Sequence, residues 1–229
     1  MRYSSGLFHQ AASKASRVVV LQPGFLGGRV VDQHRGSRKL SIVVEGSFQR
    51  TGAHTSTPDV MRWFLGRAEK VSALSREEER LTIAVQEVQS ERYSMLLPHR
   101  VRATVHIAFL DGELADQAEA RLQALFTAEG PEEVKVFIQK LEERPPLNRS
   151  ASTEAMTRRL QKISEEWGLP FGVDSGLLPT AAGEVPPGIP VVCGVSPASK
   201  DMFTPNECIH RGELLQRALL LALFLLEEE

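Results

Sequence analysis

The feature that most constrains this fold is a strictly alternating stretch near the middle of the chain. From Val101 to Phe109 the odd-numbered residues are apolar, whereas Arg102, Thr104 and His106 between them are polar. Alternation with a period of two predicts a β-strand that buries one face and turns the other towards water. The chain therefore needs a sheet that other elements cover on one side.

The segments around this strand supply such elements. We predict further strands at 40–48 and 81–88 and helices at 58–74 and 113–128. Residues 133–141 form a strand or a short helix, of which we prefer the strand. With the alternating strand, the order becomes β-α-β-β-α-β, which is typical of the ferredoxin-like split βαβ unit. We expect this unit to occupy residues 36–140.

The flanking segments differ in kind from this insert. We predict strands at 17–21 and 189–195, and helices at 4–15, from Ser152 or Thr153 to 167, and at 211–226. Short β-branched runs between helices are typical of buried strands in α/β domains. The predicted fold class is therefore α/β with an α+β insert. Residues 1–35 and 141–229 would form a helix-covered mixed sheet, and residues 36–140 a ferredoxin-like βαββαβ domain.

Composition excludes several classes of protein. A net charge of -2 gives no basic face for nucleic acid. The apolar run at 218–226 is far shorter than the ~20 residues of a membrane span, and residues 1–16 lack the continuous apolar region of a signal peptide. Cys193 and Cys208 are too few for a disulfide framework or a four-thiolate zinc site. We expect a cytoplasmic protein that binds neither nucleic acid nor membrane.

Three motifs carry a resemblance to a known family. They are Gly46-Ser-Phe-Gln-Arg-Thr-Gly-Ala-His-Thr-Ser-Thr-Pro58, the Leu97-Pro98 strand entry, and the stretch from Ile189 to Pro197 followed by Phe203-Thr-Pro-Asn-Glu207. Together they resemble the zinc-dependent exopeptidases and amidohydrolases, which include glutamate carboxypeptidases, aminoacylases, acetylornithine deacetylases and succinyl-diaminopimelate desuccinylases. The resemblance covers nearly the whole chain and about the latter half of a typical member. It implies that residues 36–140 are a dimerisation (lid) domain inserted into a remnant of the catalytic domain.

The same resemblance implies a dinuclear zinc site whose ligands are largely missing here. The family uses a His, a bridging Asp, a Glu, a second acidic residue and a C-terminal His as ligands, with a neighbouring Glu as general base. The first of these correspond to positions before Met1. Gln22 stands where the second acidic ligand is expected and Phe203 where the C-terminal His is expected. An amide is a poor zinc ligand and a phenyl ring is none, so we expect no metal and no cofactor.

Two further family positions are also changed. Ala108 stands where the family has an Arg that holds a substrate carboxylate, and Met95 stands where it has an Asn. His54 matches a family His that reaches across the dimer to the partner's active site. It is either a loop histidine kept by packing or a substrate-binding residue that acts in the partner subunit. Asp174, in Val173-Asp-Ser-Gly176, resembles an element near the family's active site.

A replacement metal site can be considered among Asp174, Cys193, Glu207, Cys208 and His210. On a helix Cys208 and His210 would lie about 200° apart, and only Glu207 and His210 fit one helical face. Two ligands do not make a site. We therefore predict a core cysteine at Cys208, a surface histidine at His210 and a buried hydrophobic role for Cys193. His34 has no spaced partner and is predicted to lie in an exposed turn.

Two functional hypotheses follow, and a third is compatible with the sequence. The first is a catalytically inactive metallopeptidase-like protein, a pseudoenzyme that acts by homodimerisation or partner binding. The alternative is one subunit of a split zinc-dependent aminoacylase- or carboxypeptidase-type hydrolase, whose metal ligands come from another chain. Gln22 and Phe203 argue against the alternative, because a merely divided enzyme would be expected to keep both ligands. The third is a product that folds without a function.

Overall fold

The computed structural model describes residues 5–52, 59–91, 93–127, 131–202 and 204–227. The chain divides into two compact units, which are described separately below. Unit 1 combines Met1–Arg35 with Arg144–Glu229, and unit 2 is Gly36–Glu143. Within the described ranges, no helix is long and apolar enough to cross a lipid bilayer.

The helices and strands are as follows in chain order. Unit 1 begins with α1 (Ser5–Ala12), β1 (Val18–Val20) and β2 (Arg29–His34). Unit 2 contains β3 (Gly36–Glu45), β4 (Gln49–Arg50), α2 (Val60–Ser72), β5 (Thr82–Ser90), β6 (Leu96–Leu97), β7 (Arg100–Phe109), α3 (Gly112–Thr127) and β8 (Lys135–Arg144). Unit 1 resumes with α4 (Ala151–Glu166), β9 (Gly172–Gly176), a 3-10 helix (Ala181–Glu184), β10 (Val191–Cys193), β11 (Ser199–Lys200), β12 (Cys208–Ile209) and α5 (Arg211–Leu226).

Unit 2 is a four-stranded sheet with helices packed on one face. The strand order is β5-β7-β3-β8, and β7 runs antiparallel to both β3 and β5. All five odd-numbered residues of β7 from Val101 to Phe109 are buried, as the alternation predicts. They join Phe64 of α2 and Leu122 of α3 in a single apolar cluster. Thr104, on the other face, is also buried and donates a hydrogen bond to Glu87 over 2.8 Å.

Unit 1 contains a mixed sheet with the strand order β1-β10-β2-β9. Strand β10 is parallel to β1 and antiparallel to β2, and β2 is parallel to β9. Helices α4 and α5 bury apolar residues against this sheet, where Leu160 and Phe224 join Val30 and Val192 in one cluster. The predicted fold class, α/β with an α+β insert, is confirmed.

Two details of unit 1 differ from the sequence prediction. Helix α4 is capped by Ser150, whose hydroxyl accepts a hydrogen bond from the Thr153 amide over 3.2 Å. Ser152 and Thr153 therefore lie inside the first turn, where Thr153 is buried. Strands β2, β9, β11 and β12 were not predicted. Strand β2 lies between β10 and β9 in the sheet, so His34 is completely buried rather than in an exposed turn.

Candidate functional site

The edge of the unit 1 sheet that follows β1 and β10 is where a ligand site is expected. Ligands of open α/β sheets bind beyond the carboxyl ends of parallel strands. Gln22 lies there, two residues after β1, and its carbonyl accepts a hydrogen bond from the Ser196 amide over 3.2 Å. The Gly24 amide donates to the Ser196 carbonyl over 3.1 Å. These bonds tie the two loops together and bring Gln22 to the edge where the resemblance requires an acidic zinc ligand.

A short hairpin follows β10 in the chain. Strands β11 and β12 pair antiparallel, and the Ser199 hydroxyl donates to Glu207 over 3.3 Å. Phe203, the other degenerate ligand position, lies outside the described residues. Cys208 is exposed, so the prediction of a core cysteine is wrong. The reason is that β12 has only two residues, both of which are exposed.

His210 and Glu213 open helix α5 in different ways. His210 occupies the N-cap position without a side-chain capping bond and is exposed, as the surface prediction requires. Glu213 is 6% exposed and was not singled out from the sequence. Its two carboxylate oxygens accept hydrogen bonds from the Gly27 amide at 3.1 Å and the Ala198 amide at 3.0 Å. Glu213 therefore fastens the loops after β1 and β10 to the start of α5, and both of its oxygens have donors.

Arg217 lies one helical turn further along and is 4% exposed. Its Nη2 donates to the Arg29 carbonyl over 2.8 Å, and its Nε and Nη1 meet no acceptor in the described part of the chain. Burial lowers the pKa of Arg217, while the negative charge of Glu213 raises it. A Cβ atom on Gly24 would lie 2.7 Å from Nη2, so only glycine allows this close approach. The guanidinium is thus enclosed by backbone rather than open to a ligand.

Asp174 is placed on β9 and is committed to local contacts. Its Oδ1 accepts from the Ser175 amide over 2.8 Å, and its Oδ2 forms an ion pair with Arg29 at 3.2 Å. The Ser175 amide and the Arg29 guanidinium hold the pKa of Asp174 below its usual range. Asp174 is a stable carboxylate, but among the described residues it belongs to no group of three or more His, Cys, Asp or Glu side chains that could hold a metal ion.

A buried polar chain runs through the centre of unit 1. The Cys193 thiol donates to the Thr180 hydroxyl oxygen over 3.3 Å, and this hydroxyl lies 3.0 Å from His34 Nε2. His34 Nδ1 lies 3.0 Å from the Arg35 carbonyl. Burial raises the pKa of Cys193 and lowers that of His34, so both groups are held neutral. A neutral thiol that donates to threonine is not an activated nucleophile, and the chain serves the packing of the core.

One more buried carboxylate was missed by sequence reasoning. Asp32 is 5% exposed and accepts from Arg149 Nε over 2.9 Å. Nothing in the local pattern of Val30-Val-Asp-Gln-His34 identifies its partner, because Arg149 is far away in the sequence. The only signal that could have indicated a buried carboxylate here is that Asp32 and Gln33 directly follow two valines.

Three positions in unit 2 correspond to functional residues in the resemblance. His54 lies outside the described residues. Met95, at the position of the family's Asn, is exposed and has a φ of 64°, in the left-handed region that Asn and Gly adopt more readily. Ala108 lies on β7 opposite Ser37 and Thr82, and it offers no charge for a carboxylate. Across the described ranges, no group of three or more His, Cys, Asp or Glu side chains could hold a metal ion.

Comparisons with known proteins identify the fold. No family model matches the sequence, and no curated protein matches it. Three solved structures have a similar fold, and their TM-score, sequence identity and coverage of each chain are as follows. The aminopeptidase PepT from Bacillus cereus has a TM-score of 0.75 at 16% identity, over 96% of this chain and 61% of that one. A tripeptidase from Staphylococcus aureus has a TM-score of 0.76 at 15% identity, over 92% and 56%. An amidase of the hydantoinase/carbamoylase family from Burkholderia multivorans has a TM-score of 0.66 at 16% identity, over 91% and 54%.

These identities are too low to carry more than the fold. The chain spans between 54% and 61% of the length of these three structures. The similarity extends over nearly all of this chain and includes both units. The chain therefore has the fold of part of a peptidase or amidase of the kind that these neighbours represent.

Proposed function

We propose that this chain is a catalytically inactive, metallopeptidase-like protein that acts by self-association, with a homodimer as its basic form. The observation that carries the proposal is the chemistry at the carboxyl edge of β1 and β10. Gln22 brings a neutral amide to this edge, and the buried carboxylate of Glu213 is used by two backbone amides. A divalent metal needs several free anionic or imidazole donors.

The other candidate side chains support the same conclusion. Asp174 is paired with Arg29, and the thiol of Cys193 is buried and neutral. Phe203 offers no donor atom in any conformation. His54 alone, without a metal or a metal-bound water, supplies no nucleophile. Its contact with a substrate or with the partner subunit stays a prediction.

The exposed surface favours association over catalysis. Of the large apolar residues in helix α5, five leucines are exposed by 39% or more. The sheet edges β5 and β8 of unit 2 offer a second surface, and the family resemblance implies edge-to-edge pairing there. Large exposed apolar patches mark interaction sites in soluble proteins.

The alternative is a subunit of a split zinc-dependent hydrolase. The observation that favours it is the length relation, since the chain spans only 54% to 61% of the three neighbours. Under this alternative a second polypeptide would supply the metal ligands and the general base. Gln22 still argues against it, because this half would have to contribute an acidic ligand at that position.

The metal test separates the two functions. Purified protein is incubated with excess zinc, dialysed without chelator and analysed for bound metal, then assayed with a dipeptide, a tripeptide and an N-carbamoyl amino acid. We expect clearly substoichiometric zinc and no hydrolysis above that of a Gln22→Ala control. Stoichiometric zinc together with hydrolysis that a chelator abolishes would show that the protein is an enzyme and that the proposal is wrong.

The association test uses size-exclusion chromatography coupled to light scattering. Protein concentrations of about 1–100 μM cover the dissociation constant expected for a small interface. We expect the weight-average mass to rise towards twice the chain mass of 25.3 kDa as concentration increases. A constant monomer mass over this range would contradict self-association.

A further inference from the structure

Helix α5 buries one face in unit 1 and leaves five of its leucines exposed. Glu213, Arg217, Leu220 and Phe224 are buried at intervals of four, three and four residues. The exposed leucines are Leu214 (45%), Leu215 (80%), Leu219 (39%), Leu225 (60%) and Leu226 (79%). From Ala218 to Leu226 the helix is apolar all round, and such a segment is normally covered on all sides.

Four exposed residues form a continuous seam along this helix. Leu215, Leu219, Ala222 and Leu226 follow one another at intervals of four, three and four residues. At 3.6 residues per turn they fall within ~60° of arc, and the centre of this arc lies ~160° from the centre of the buried face. This is the spacing of a coiled-coil seam. We call these four residues the α5 seam.

We propose that the α5 seam pairs antiparallel with the α5 seam of a second copy of this chain. The proposal deepens the proposed function, on which it rests, by naming the surface that self-association uses. The two-fold axis would pass between Leu220 and Leu221. Leu215 would then meet Leu226 of the second copy, and Leu219 would meet Ala222 of the second copy, so each contact occurs twice.

The order of side chains suits this symmetry. An isologous interface requires that if one residue contacts a second, the second contacts the first in return. The seam reads Leu-Leu-Ala-Leu, and in the antiparallel register the leucine at 219 faces the small residue at 222. The large residue fills the space that the alanine leaves, which allows close packing at the centre of the contact.

Charge selects the antiparallel direction. Arg211 begins the helix, and Glu227, which follows its last residue, already forms an ion pair with Arg159 of the same chain. An antiparallel pair places each Arg211 near the negative carboxyl end of the other copy's helix and sets the helix dipoles in opposite directions. A parallel pair would place the two arginines together. The second copy is therefore a better occupant than a partner with an arbitrary charge pattern.

The size of the seam sets the expected strength. A helix of 16 residues is ~24 Å long and ~10 Å wide. One such face is well below the ~800 Å² that each partner contributes to an interface of standard size. We therefore expect a weak, concentration-dependent dimer rather than a permanent one.

The first experiment compares two matched variants of the full chain by light scattering. Leu215→Glu changes the most exposed seam residue, while Leu177→Glu changes a leucine that is 71% exposed elsewhere in unit 1. Glutamate is a good helix former, and circular dichroism checks that both variants fold. We expect Leu215→Glu to raise the dimer dissociation constant at least tenfold and Leu177→Glu to change it less than twofold. Equal effects of the two variants would overturn the proposal.

The second experiment tests the register by cysteine cross-linking. In a Cys208→Ser background, Leu215→Cys and a tagged Leu226→Cys protein are oxidised with copper phenanthroline, separately and as a mixture. We expect disulfide-linked heterodimers in the mixture only. In the proposed register two copies of position 215 are ~16 Å apart along the helix, whereas a disulfide needs Cα atoms within ~7 Å.

The outcomes separate this proposal from the proposed function. A dimer that persists in Leu215→Glu, with no cross-link in the mixture, would refute the α5 seam and leave self-association through another surface. Disulfide-linked homodimers of each single variant, with no heterodimer in the mixture, would refute the antiparallel register. A protein that stays monomeric at every concentration would refute both the seam and the proposed self-association.

Discussion

Replacing Glu213 by alanine should strongly destabilise unit 1, although this glutamate sits in a leucine-rich helix with no sequence signal of importance. Its carboxylate accepts from the amides of Gly27 and Ala198. A hydrogen bond to a charged group contributes ~1.5–3 kcal/mol. Ala198 is 5% exposed, so its amide would be left without water, whereas the exposed Gly27 can be rehydrated. The change also removes the negative charge nearest to the buried guanidinium of Arg217.

The expected loss follows from these contributions. The Ala198 bond to the carboxylate contributes ~1.5–3 kcal/mol, because its buried amide would lose its only acceptor. We therefore expect the free energy of unfolding of unit 1 to fall by ~1.5–3 kcal/mol. Glu213→Gln keeps one acceptor oxygen and should cost roughly half as much.

Urea unfolding with tryptophan fluorescence measures this loss. The chain has two tryptophans, Trp63 in unit 2 and Trp167 in unit 1. A Trp63→Phe background therefore leaves Trp167 as the single reporter, and it follows unit 1. The matched control is Glu207→Ala, an exposed glutamate with a bond to Ser199, which should change stability by no more than ~0.5 kcal/mol. If Glu213→Ala were no more harmful than Glu207→Ala, the anchoring role of Glu213 would be wrong.

Three further predictions concern buried and exposed groups of unit 1. Burial lowers the pKa of His34, so the unfolded chain binds protons before the folded one does, and the free energy of unfolding should decrease as pH falls below ~6.5. His34→Gln should reduce this pH dependence, as measured by urea unfolding at several pH values. An unchanged slope of the free energy of unfolding against pH would contradict the role of His34. Ellman's reagent should react quickly with Cys208 and reach Cys193 only on unfolding, whereas two fast thiols would contradict the burial of Cys193. Gly24→Ala should lower the thermal midpoint through ~1–3 kcal/mol of overpacking, since its Cβ would lie 2.3 Å from a backbone oxygen. Gly6→Ala, with nothing within 4 Å, is the control, and equal midpoints would refute the steric argument.

Local patterns predicted much of the fold. The alternation from Val101 to Phe109 identified β7 and the face that it buries, because a strand's side chains alternate whatever it pairs with. Helix α5 was predicted at 211–226 and is observed there. Helix α3 was predicted at 113–128 and begins at Gly112. These segments are long and periodic, so nearest-neighbour preferences are enough to identify them.

The candidate site was predicted less well, because its polar groups depend on distant partners. His34 looked like a turn residue, yet β2 lies between β10 and β9 and buries it against Thr180. Glu213 and Arg217 were not singled out from the sequence. In the structure both are buried, and five leucines of α5 are exposed.

The sequence by itself determined the long periodic elements, such as β7 and α5, and the identity of the residues at the two degenerate ligand positions, Gln22 and Phe203. These properties are local, because periodicity and side-chain chemistry do not depend on the rest of the chain. The tertiary structure decided which polar groups are buried and which apolar face of α5 is exposed. A charged group can be buried only where partners from remote segments satisfy it, as the amides of Gly27 and Ala198 do for Glu213, and those partners meet only when the chain folds.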